Sequence, residues 1–369
     1  MAEPSPLLRL PGAVASEQHP SLAAHYGEPL PEQRRLESGA AFVELPRAVV
    51  SVAGPDRLSW LDSMTSQRLT GLVPGGSAET LVLDQNGRVE HAVRVVDDGA
   101  TAWLIAEPET ASALAAWLDR MRFMLRVEVA EHPELAVLGA VDGAGLPASA
   151  PSGVPLVWDD PWREVAAGGW QYAAAAEHPG DQWRWSETIV PRESLAALAE
   201  SVAAGERSVS GVLAAEALRI AAWRPRQGAD TDERSIPHEL DWLRSAVHLT
   251  KGCYRGQETV AKVHNLGHPP RRLVMLHLDG SDGVLPAPGS EVLLGGKSIG
   301  AVTSSALHHE LGPIALAVVR RGADAGTELL VRAEGLEIAA AQQVIVPPGA
   351  GATADVPRLP RLGAVRRER

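Results

Sequence analysis

The chain has 369 residues, of which 45% are hydrophobic and 22% charged, and its formal net charge is −12. This length suggests two or three domains of a globular protein, because single hydrophobic cores rarely grow beyond roughly 250 residues. The acidic balance argues against a general nucleic-acid or anionic-membrane binder, since such surfaces need an excess of Lys and Arg.

The cysteine count and the N-terminal sequence indicate a cytoplasmic protein. One cysteine, Cys253, cannot form an intrachain disulfide, which fits a reducing compartment. The N-terminus lacks a cationic start followed by an apolar run, and no run of about 18 apolar residues occurs in the chain. We therefore expect neither a signal peptide nor a membrane span.

Changes in composition and pattern divide the chain into five predicted segments. We expect a partly disordered extension over residues 1–30, a first α+β lobe over 31–150 and a second α+β lobe over 151–270. A C-terminal β-barrel follows over 271–347, where short strands recur at even spacing, and a disordered tail over 348–369. Strands and helices without strict βαβ alternation place the chain in the α+β class.

Local patterns in the first lobe predict two helices and a hairpin. Asp56 is a plausible N-cap for a helix with an apolar stripe, and Pro108 suits the first turn of a second helix. Two strand-like runs flank Asn86 and Gly87, a pair that favours a tight hairpin turn because both residues tolerate positive φ.

The sequence KGCYRGQE, residues 251–258, surrounds the cysteine. A lone cysteine is most often a small buried residue, but Gly252 and Gly256 and their polar neighbours favour an exposed turn. Lys251 could lie beside the sulfur and favour its thiolate form, and a helix that begins near Gln257 would act in the same direction. The residues alone leave both interpretations open.

Histidines near the cysteine and in the barrel do not predict a metal site. His264 and His268, with Cys253 upstream, resemble half of a zinc site, but the second cysteine is missing. The run from His308 to Glu310 is interpreted as a solvated turn of the barrel. We expect surface histidines and no bound metal.

The KGCYRGQE run resembles the K-G-C-[FY]-x-G-Q-E signature of the YgfZ family, the folate-binding proteins connected with iron–sulfur cluster assembly or repair. GPDRLSWLDSMTSQRL, DQNGRVEHAVRV and LRIAAWRPRQGADTDERSIPHEL resemble further segments of that family, in the same order. SIGAVTSSAL and IALAVVRR resemble runs of the wider glycine-cleavage T-protein (aminomethyltransferase) superfamily. The resemblance covers roughly residues 38–347.

This resemblance implies two α+β lobes and a small C-terminal β-barrel around a central opening that binds tetrahydrofolate or a one-carbon derivative. It also implies a role in the assembly or repair of iron–sulfur enzymes through Cys253, with transient contacts to those enzymes or to cluster-assembly proteins. A lone thiol does not supply the roughly four ligands of a cluster, so no stably bound cluster is expected.

The resemblance also suggests roles for individual residues. Lys251 would tune the thiol of Cys253, and the turn around it would be formed by Gly252, Tyr254, Gly256, Gln257 and Glu258, with Gln257 and Glu258 bonded to backbone groups. The candidates for folate contacts are Glu90, Arg219, Trp223, Glu239, Arg271 and Arg272, with Trp242 as an alternative stacking partner.

One departure bears on the reaction. The T-protein branch has an R-x-E-A-G run whose Glu holds the pterin ring, whereas here Ala221 stands in the place of that Glu and Trp223 in the place of the Gly. Two alternatives therefore stand beside the first interpretation: a folate-dependent aminomethyltransferase, and a non-catalytic adaptor with the same fold.

Overall fold

Two five-stranded sheets, a closed barrel and a small hairpin form the architecture of the computed structural model, which describes residues 3–175, 177–281 and 283–354. The α-helices of this described part are α1 (Pro29–Glu37), α2 (Arg57–Met64), α3 (Pro108–Met121), α4 (Ser194–Ala203), α5 (Val212–Ala221) and α6 (Gln257–Leu266). Among the described residues, no helix combines the length and apolar character that crossing a membrane requires.

One five-stranded sheet is antiparallel throughout and has the strand order β5-β6-β7-β4-β8. Its strands are β4 (Ala48–Ala53), β5 (Ser77–Leu83), β6 (Val89–Asp97), β7 (Thr101–Ala106) and β8 (Glu128–Glu131). Apolar residues of α2 and α3, among them Leu61, Leu114 and Leu118, are buried with it in one core. Asp56 precedes α2 as predicted, but its carboxylate pairs with Arg126 and makes no cap hydrogen bond.

The hairpin predicted at Asn86-Gly87 joins β5 and β6, but with a different turn. Only Gly87 has positive φ, +77°. The Asp84 carboxylate accepts the N–H groups of Asn86 and Arg88 at 2.7 and 2.8 Å, and the register shifts between Val82 and Leu83. These features are typical of a three-residue loop that ends in a glycine bulge, which needs one left-handed residue where the expected two-residue turn needs two.

The other five-stranded sheet takes strands from both sides of residue 150. Its order is β10-β11-β9-β3-β12, antiparallel except for the parallel pair β12 and β3. The strands are β3 (Ala41–Leu45), β9 (Leu135–Val141), β10 (Val157–Asp159), β11 (Trp185–Pro191) and β12 (Ser208–Ser210). The predicted boundary between the two lobes therefore runs through a single sheet.

The N-terminal segment is built into the fold from residue 3 onward. Strands β1 (Val14–Ala15) and β2 (Ala23–His25) pair, and Leu7 is buried in a core with Phe42 and Leu198. This differs from the partly disordered extension that its Pro/Ala/Ser-rich sequence suggested, because tertiary contacts decide the outcome. At the other end residues 348–354 are described, and the rest of the predicted tail, 355–369, lies outside the described residues.

A closed barrel ends the described chain, with the strand order β13-β16-β15-β14-β17-β18. Its strands are β13 (Arg271–Leu278), β14 (Glu291–Leu294), β15 (Lys297–His308), β16 (Gly312–Arg320), β17 (Leu329–Ala333) and β18 (Leu336–Val344). Val274 and Leu276 belong to the core of the barrel, whereas Leu273 and Met275 pack against the core shared with the sheets. The predicted α+β architecture with a C-terminal barrel is confirmed.

Buried histidines make the fold sensitive to acid. Burial lowers the pKa of His91, His178, His238 and His308 to about 4. An unfolded histidine has a pKa near 6.5, so between about pH 6.5 and 4 the unfolded chain binds more protons than the folded one. The contribution of these neutral side chains to the free energy of unfolding is therefore complete above pH 6.5 and is lost as the pH falls towards 4.

We predict that His238→Gln reduces the acid sensitivity of the free energy of unfolding. His238 is fully buried and donates from Nε2 to the Val260 carbonyl at 3.0 Å, a bond that a glutamine amide can replace. Urea unfolding should show that the wild type loses about 2 kcal/mol more than the variant between pH 7 and 4.5. His277→Gln on the barrel gives the background effect of the exchange, and equal losses in H238Q and wild type would contradict the prediction.

Candidate functional site

Cys253 lies in the turn that leads into α6, and it is exposed. Among the described residues its thiol has no hydrogen-bond partner, while its neighbours Lys251 and Tyr254 are buried. The prediction of a helix that begins at Gln257 is confirmed. The turn therefore presents one sulfur atom to solvent close to the N-terminal end of a helix, where partial positive charge favours an anionic ligand.

The turn packs closely on the β5–β6 hairpin through Gly256. This residue has φ +84°, and a Cβ atom at its position would lie 2.6 Å from the Asp84 carbonyl oxygen and 3.0 Å from the Cα of Gly87. A side chain would meet both a strained backbone and a direct clash with main-chain atoms. At Gly252, by contrast, a Cβ atom would meet open space. Of the two glycines expected to shape the turn, only Gly256 is required by its geometry.

Lys251 anchors the turn, and its ammonium group bonds to backbone carbonyls and not to the thiol of Cys253. Its Nζ donates to the backbone carbonyls of Asp62, Thr65 and Gln67, the last two at 2.8 and 2.7 Å. The Asp62 carboxylate lies 3.4 Å from Nζ, and the Tyr254 ring centroid lies 5.4 Å away. An ammonium group has three donors, and all three are taken here. This geometry does not support the expected pairing of Lys251 with the thiol.

The electrostatics of Lys251 fit an anchor rather than a free cation. Burial lowers the pKa of its ammonium, and the Asp62 carboxylate opposes that shift. The last turns of α2 and the residues after it thus supply the carbonyl acceptors, and Asp62 of α2 supplies the compensating negative charge. A buried charge persists when it is hydrogen-bonded in this way.

The remaining residues of the motif divide into supporting and exposed groups. Gln257 donates from Nε2 to the Lys251 carbonyl at 3.3 Å, as expected of a residue that closes the turn. Glu258 is exposed in the first turn of α6 and makes no hydrogen bond among the described residues, which differs from its expected role. Arg255 forms an exposed ion pair with Glu90 at 2.8 Å. Of the folate candidates, Glu90 is thus the one that the structure brings to the cysteine turn.

Arg219 and Trp223, the central folate candidates, are buried and already bonded. The Arg219 guanidinium pairs with Glu216 and with Asp230, the latter at 2.8 Å. Trp223 is 1% exposed, and its indole N–H donates to the sulfur of Met275 at 2.9 Å. Neither side chain offers a free face or a free donor for a ligand.

The other folate candidates are occupied as well. Glu239 is 1% exposed and pairs with Arg271 at 2.8 Å, and Arg271 also binds Asp232 at 2.6 Å. Arg272 is fully buried; its Nη2 donates to the Ala323 carbonyl and to Gln342, whereas its Nε and Nη1 have no hydrogen-bond partner among the described residues. Glu239 and Arg271 are thus bonded to other residues of the chain, and in this arrangement they are not free to hold a folate.

Trp242, the alternative stacking partner, belongs to a buried polar cluster that the sequence analysis missed. Its N–H donates to Glu79, whose carboxylate also accepts from Arg224 at 2.7 Å, and Arg224 reaches Asp160 at 2.9 Å. These residues come from separate segments of the chain. No local pattern marks them, because their pairing exists only in the folded molecule.

The histidines considered as metal ligands have other partners. His264 bonds to the Tyr172 hydroxyl and His268 to the Ala350 carbonyl. Potential ligand atoms of Glu37, His308 and His309 lie within 4.8 Å of one another. However, His309 already bonds Glu37 through Nε2, and His308 accepts backbone N–H groups through Nδ1. We assign no metal there. His308 is buried, so the prediction of a solvated turn was wrong at this residue.

We predict that Lys251→Met destabilises the fold without slowing the alkylation of the Cys253 thiol. The exchange leaves three backbone carbonyls without a donor, which should cost about 2 kcal/mol or more in urea unfolding. Iodoacetamide alkylation of native Cys253 should change less than about threefold, because the ammonium does not contact the sulfur. Arg255→Met is the matched control, since loss of an exposed ion pair costs at most about 1 kcal/mol. If alkylation were slowed tenfold or more in K251M but not in R255M, the result would support the expected role of Lys251 in tuning the thiol.

Comparison with known proteins gives matches for the barrel and for most of the chain. Residues 271–348 match the family model described as the glycine cleavage T-protein C-terminal barrel domain. An aminomethyltransferase of Nostoc sp. is 28% identical over 286 residues, which cover 73% of each chain. An aminomethyltransferase of Alcanivorax borkumensis is 25% identical over 322 residues, covering 84% of this chain and 86% of the relative.

Two further comparisons concern a short segment of the chain and the fold alone. A chloroplastic protein of Arabidopsis thaliana named as a transferase is 35% identical over 98 residues, and the match spans only 21% of that relative. The crystal structure of the glycine cleavage system aminomethyltransferase T from Bartonella henselae has a TM-score of 0.73 at 19% identity, covering 94% of this chain and 98% of the other, which shows a shared fold. Taken together, these matches show that the barrel is similar to the T-protein C-terminal barrel domain and that most of the chain is similar to aminomethyltransferases.

Proposed function

We propose that this protein acts in the assembly or repair of iron–sulfur enzymes through Cys253, in the manner of the YgfZ family that its motif resembles. The observation that carries the proposal is the placement of the chain's sole thiol, exposed on a turn whose backbone is held on both sides. A thiolate is a soft ligand and a nucleophile, so it suits contact with a cluster iron or with an oxidised partner sulfur.

The anchoring of the turn supports a protein partner. Lys251 ties the turn to residues 62–67, and Gly256 seats it on the β5–β6 hairpin. The sulfur is therefore presented to solvent on a turn that is anchored on both sides. A fixed, exposed thiol can reach a group on a second macromolecule at little cost in ordering.

A reduced folate is not part of this proposal. The resemblance implies one, but the central candidates for holding it, Arg219 and Trp223, are buried and bonded to other residues of the chain. The role assigned to Cys253 therefore depends on the turn alone.

A second candidate is folate-dependent aminomethyl transfer, favoured by the names of the relatives that match most of the chain. Ala221, in the place of the pterin-holding Glu, speaks against it, as does the burial of Trp223.

We predict that Cys253→Ser fails to support iron–sulfur enzymes with labile clusters. In cells from which the endogenous gene has been removed, activity of such enzymes should fall to the level of cells without the protein. The exchange is nearly isosteric at an exposed site, so it should change stability by no more than about 0.5 kcal/mol. Protein level by immunoblot and the melting temperature provide the controls.

A glycine pair tests whether the position of the thiol also matters. Gly256→Ala keeps the sulfur but should displace the turn from Asp84, whereas Gly252→Ala makes the same chemical change in open space. Enzyme activity should therefore fall with G256A and persist with G252A. Wild-type behaviour of Cys253→Ser would sink the proposal and favour a non-catalytic adaptor.

The second candidate predicts a different assay result. Under our proposal, purified protein should move a one-carbon unit from formaldehyde to tetrahydrofolate no faster than the uncatalysed reaction, measured by the absorbance of the folate product. Turnover well above that background, retained in Cys253→Ala, would establish the transferase instead. A T-protein of known activity serves as the positive control.

A further inference from the structure

We infer that the centre of this fold is closed to a pterin, because Trp223 fills the place that a glycine takes in the T-protein pattern. The chain would then keep the shape of a folate enzyme without its ligand. This inference is independent of the role proposed for Cys253, since it concerns the interior of the molecule and not the exposed turn.

The backbone of Trp223 shows that its position is imposed by its surroundings. Its φ is +57°, in the left-handed region that favours glycine. A bulky residue is rarely found there and is held only where neighbouring contacts determine its position. Trp223 follows Ala222, the C-cap residue of α5, and so occupies the position where a helix commonly ends in a left-handed glycine. Tryptophan in that place indicates that its ring makes contacts which offset the strain.

Those contacts connect α5 to the barrel. The Trp223 N–H donates to the Met275 sulfur on β13 at 2.9 Å, and its ring meets His178 edge to face at a centroid distance of 5.1 Å. The side chain is 1% exposed. A ring on which a pterin stacks needs one open face, and protein atoms cover the faces of this one.

The neighbouring tryptophans are also buried, and their N–H groups are bonded to other residues. Trp162 is 0% exposed and donates to the Ala222 carbonyl at 2.9 Å, and its ring packs edge to face on His178. Trp242 is 1% exposed and donates to Glu79. The rings thus form part of a packed core, and such cores leave few voids larger than a water molecule.

The carboxylate needed for a pterin is missing from the same run. A pterin presents adjacent N–H donors that a carboxylate can accept in pairs, and the residue at the corresponding position is Ala221. The nearby Glu216 and Asp230 are both tied to Arg219. Two exchanges in one short segment, Glu to Ala and Gly to Trp, therefore remove both the ligand's partner and its space.

The test is isothermal titration of the purified protein with 5-formyltetrahydrofolate, a stable reduced folate. We expect no binding by the wild type up to about 1 mM. Ala221→Glu alone should not bind either, because Trp223 still fills the space. The double variant A221E/W223G, which restores the T-protein pattern and a left-handed glycine, should gain affinity by at least about tenfold.

Folding controls keep the inference open to refutation. Trp223→Gly removes a large buried side chain, so circular dichroism and thermal melting should establish that each variant is folded before titration. If the double variant does not fold, the wild type and A221E alone decide the question. Micromolar binding by either of them, or equal affinity of wild type and double variant, would overturn the inference. Neither result would bear on the cellular effect of Cys253→Ser.

Discussion

The buried ammonium of Lys251 is the interaction on which the candidate site depends. Its three bonds run to the carbonyls of Asp62, Thr65 and Gln67, residues 184 to 189 positions away in sequence. Without the ammonium, the three carbonyls would lack a hydrogen-bond donor. Without the carbonyls, the ammonium would be a buried charge with too few hydrogen bonds, so the two groups depend on each other. The consequence for chemistry is indirect: the cation fixes the backbone beside Cys253 and leaves the sulfur free.

A second set of buried charges connects the sheets to each other. Arg224 bridges Glu79 on β5 and Asp160, which follows β10, so one guanidinium joins both five-stranded sheets. Trp183 and Trp242 donate to the same carboxylates. Breaking one partner of such a network leaves an unpaired buried charge, which costs far more than an exposed pair is worth. The polar centre is therefore a structural element, and the tryptophans around it pack as core.

Sequence patterns predicted the elements better than the contacts between them. The barrel strands and the helix after Gly256 follow from periodicity and glycine placement, which are local properties. The environment of Lys251 could not be predicted in this way, because its partners are backbone atoms of α2 and of the residues after it, far away in sequence. Trp223 is a similar case: the sequence shows an aromatic residue in the place of a glycine, but only packing decides whether its ring faces a ligand or the core. The N-terminal segment was misjudged for the same reason, since Leu7 gains its burial from strands far along the chain.

Similarity to a family indicates a shape more firmly than a reaction, and this chain illustrates why. Aminomethyl transfer to folate needs a site for the folate, and here the corresponding residues are Ala221 and a buried tryptophan. The same fold leaves an exposed thiol on a turn that is held by the buried ammonium of Lys251 and by Gly256, a position with no space for a side chain. If the interior no longer selects for a ligand, what the architecture still provides is rigidity. In the function proposed above, that rigidity would hold the Cys253 thiol in place for a partner.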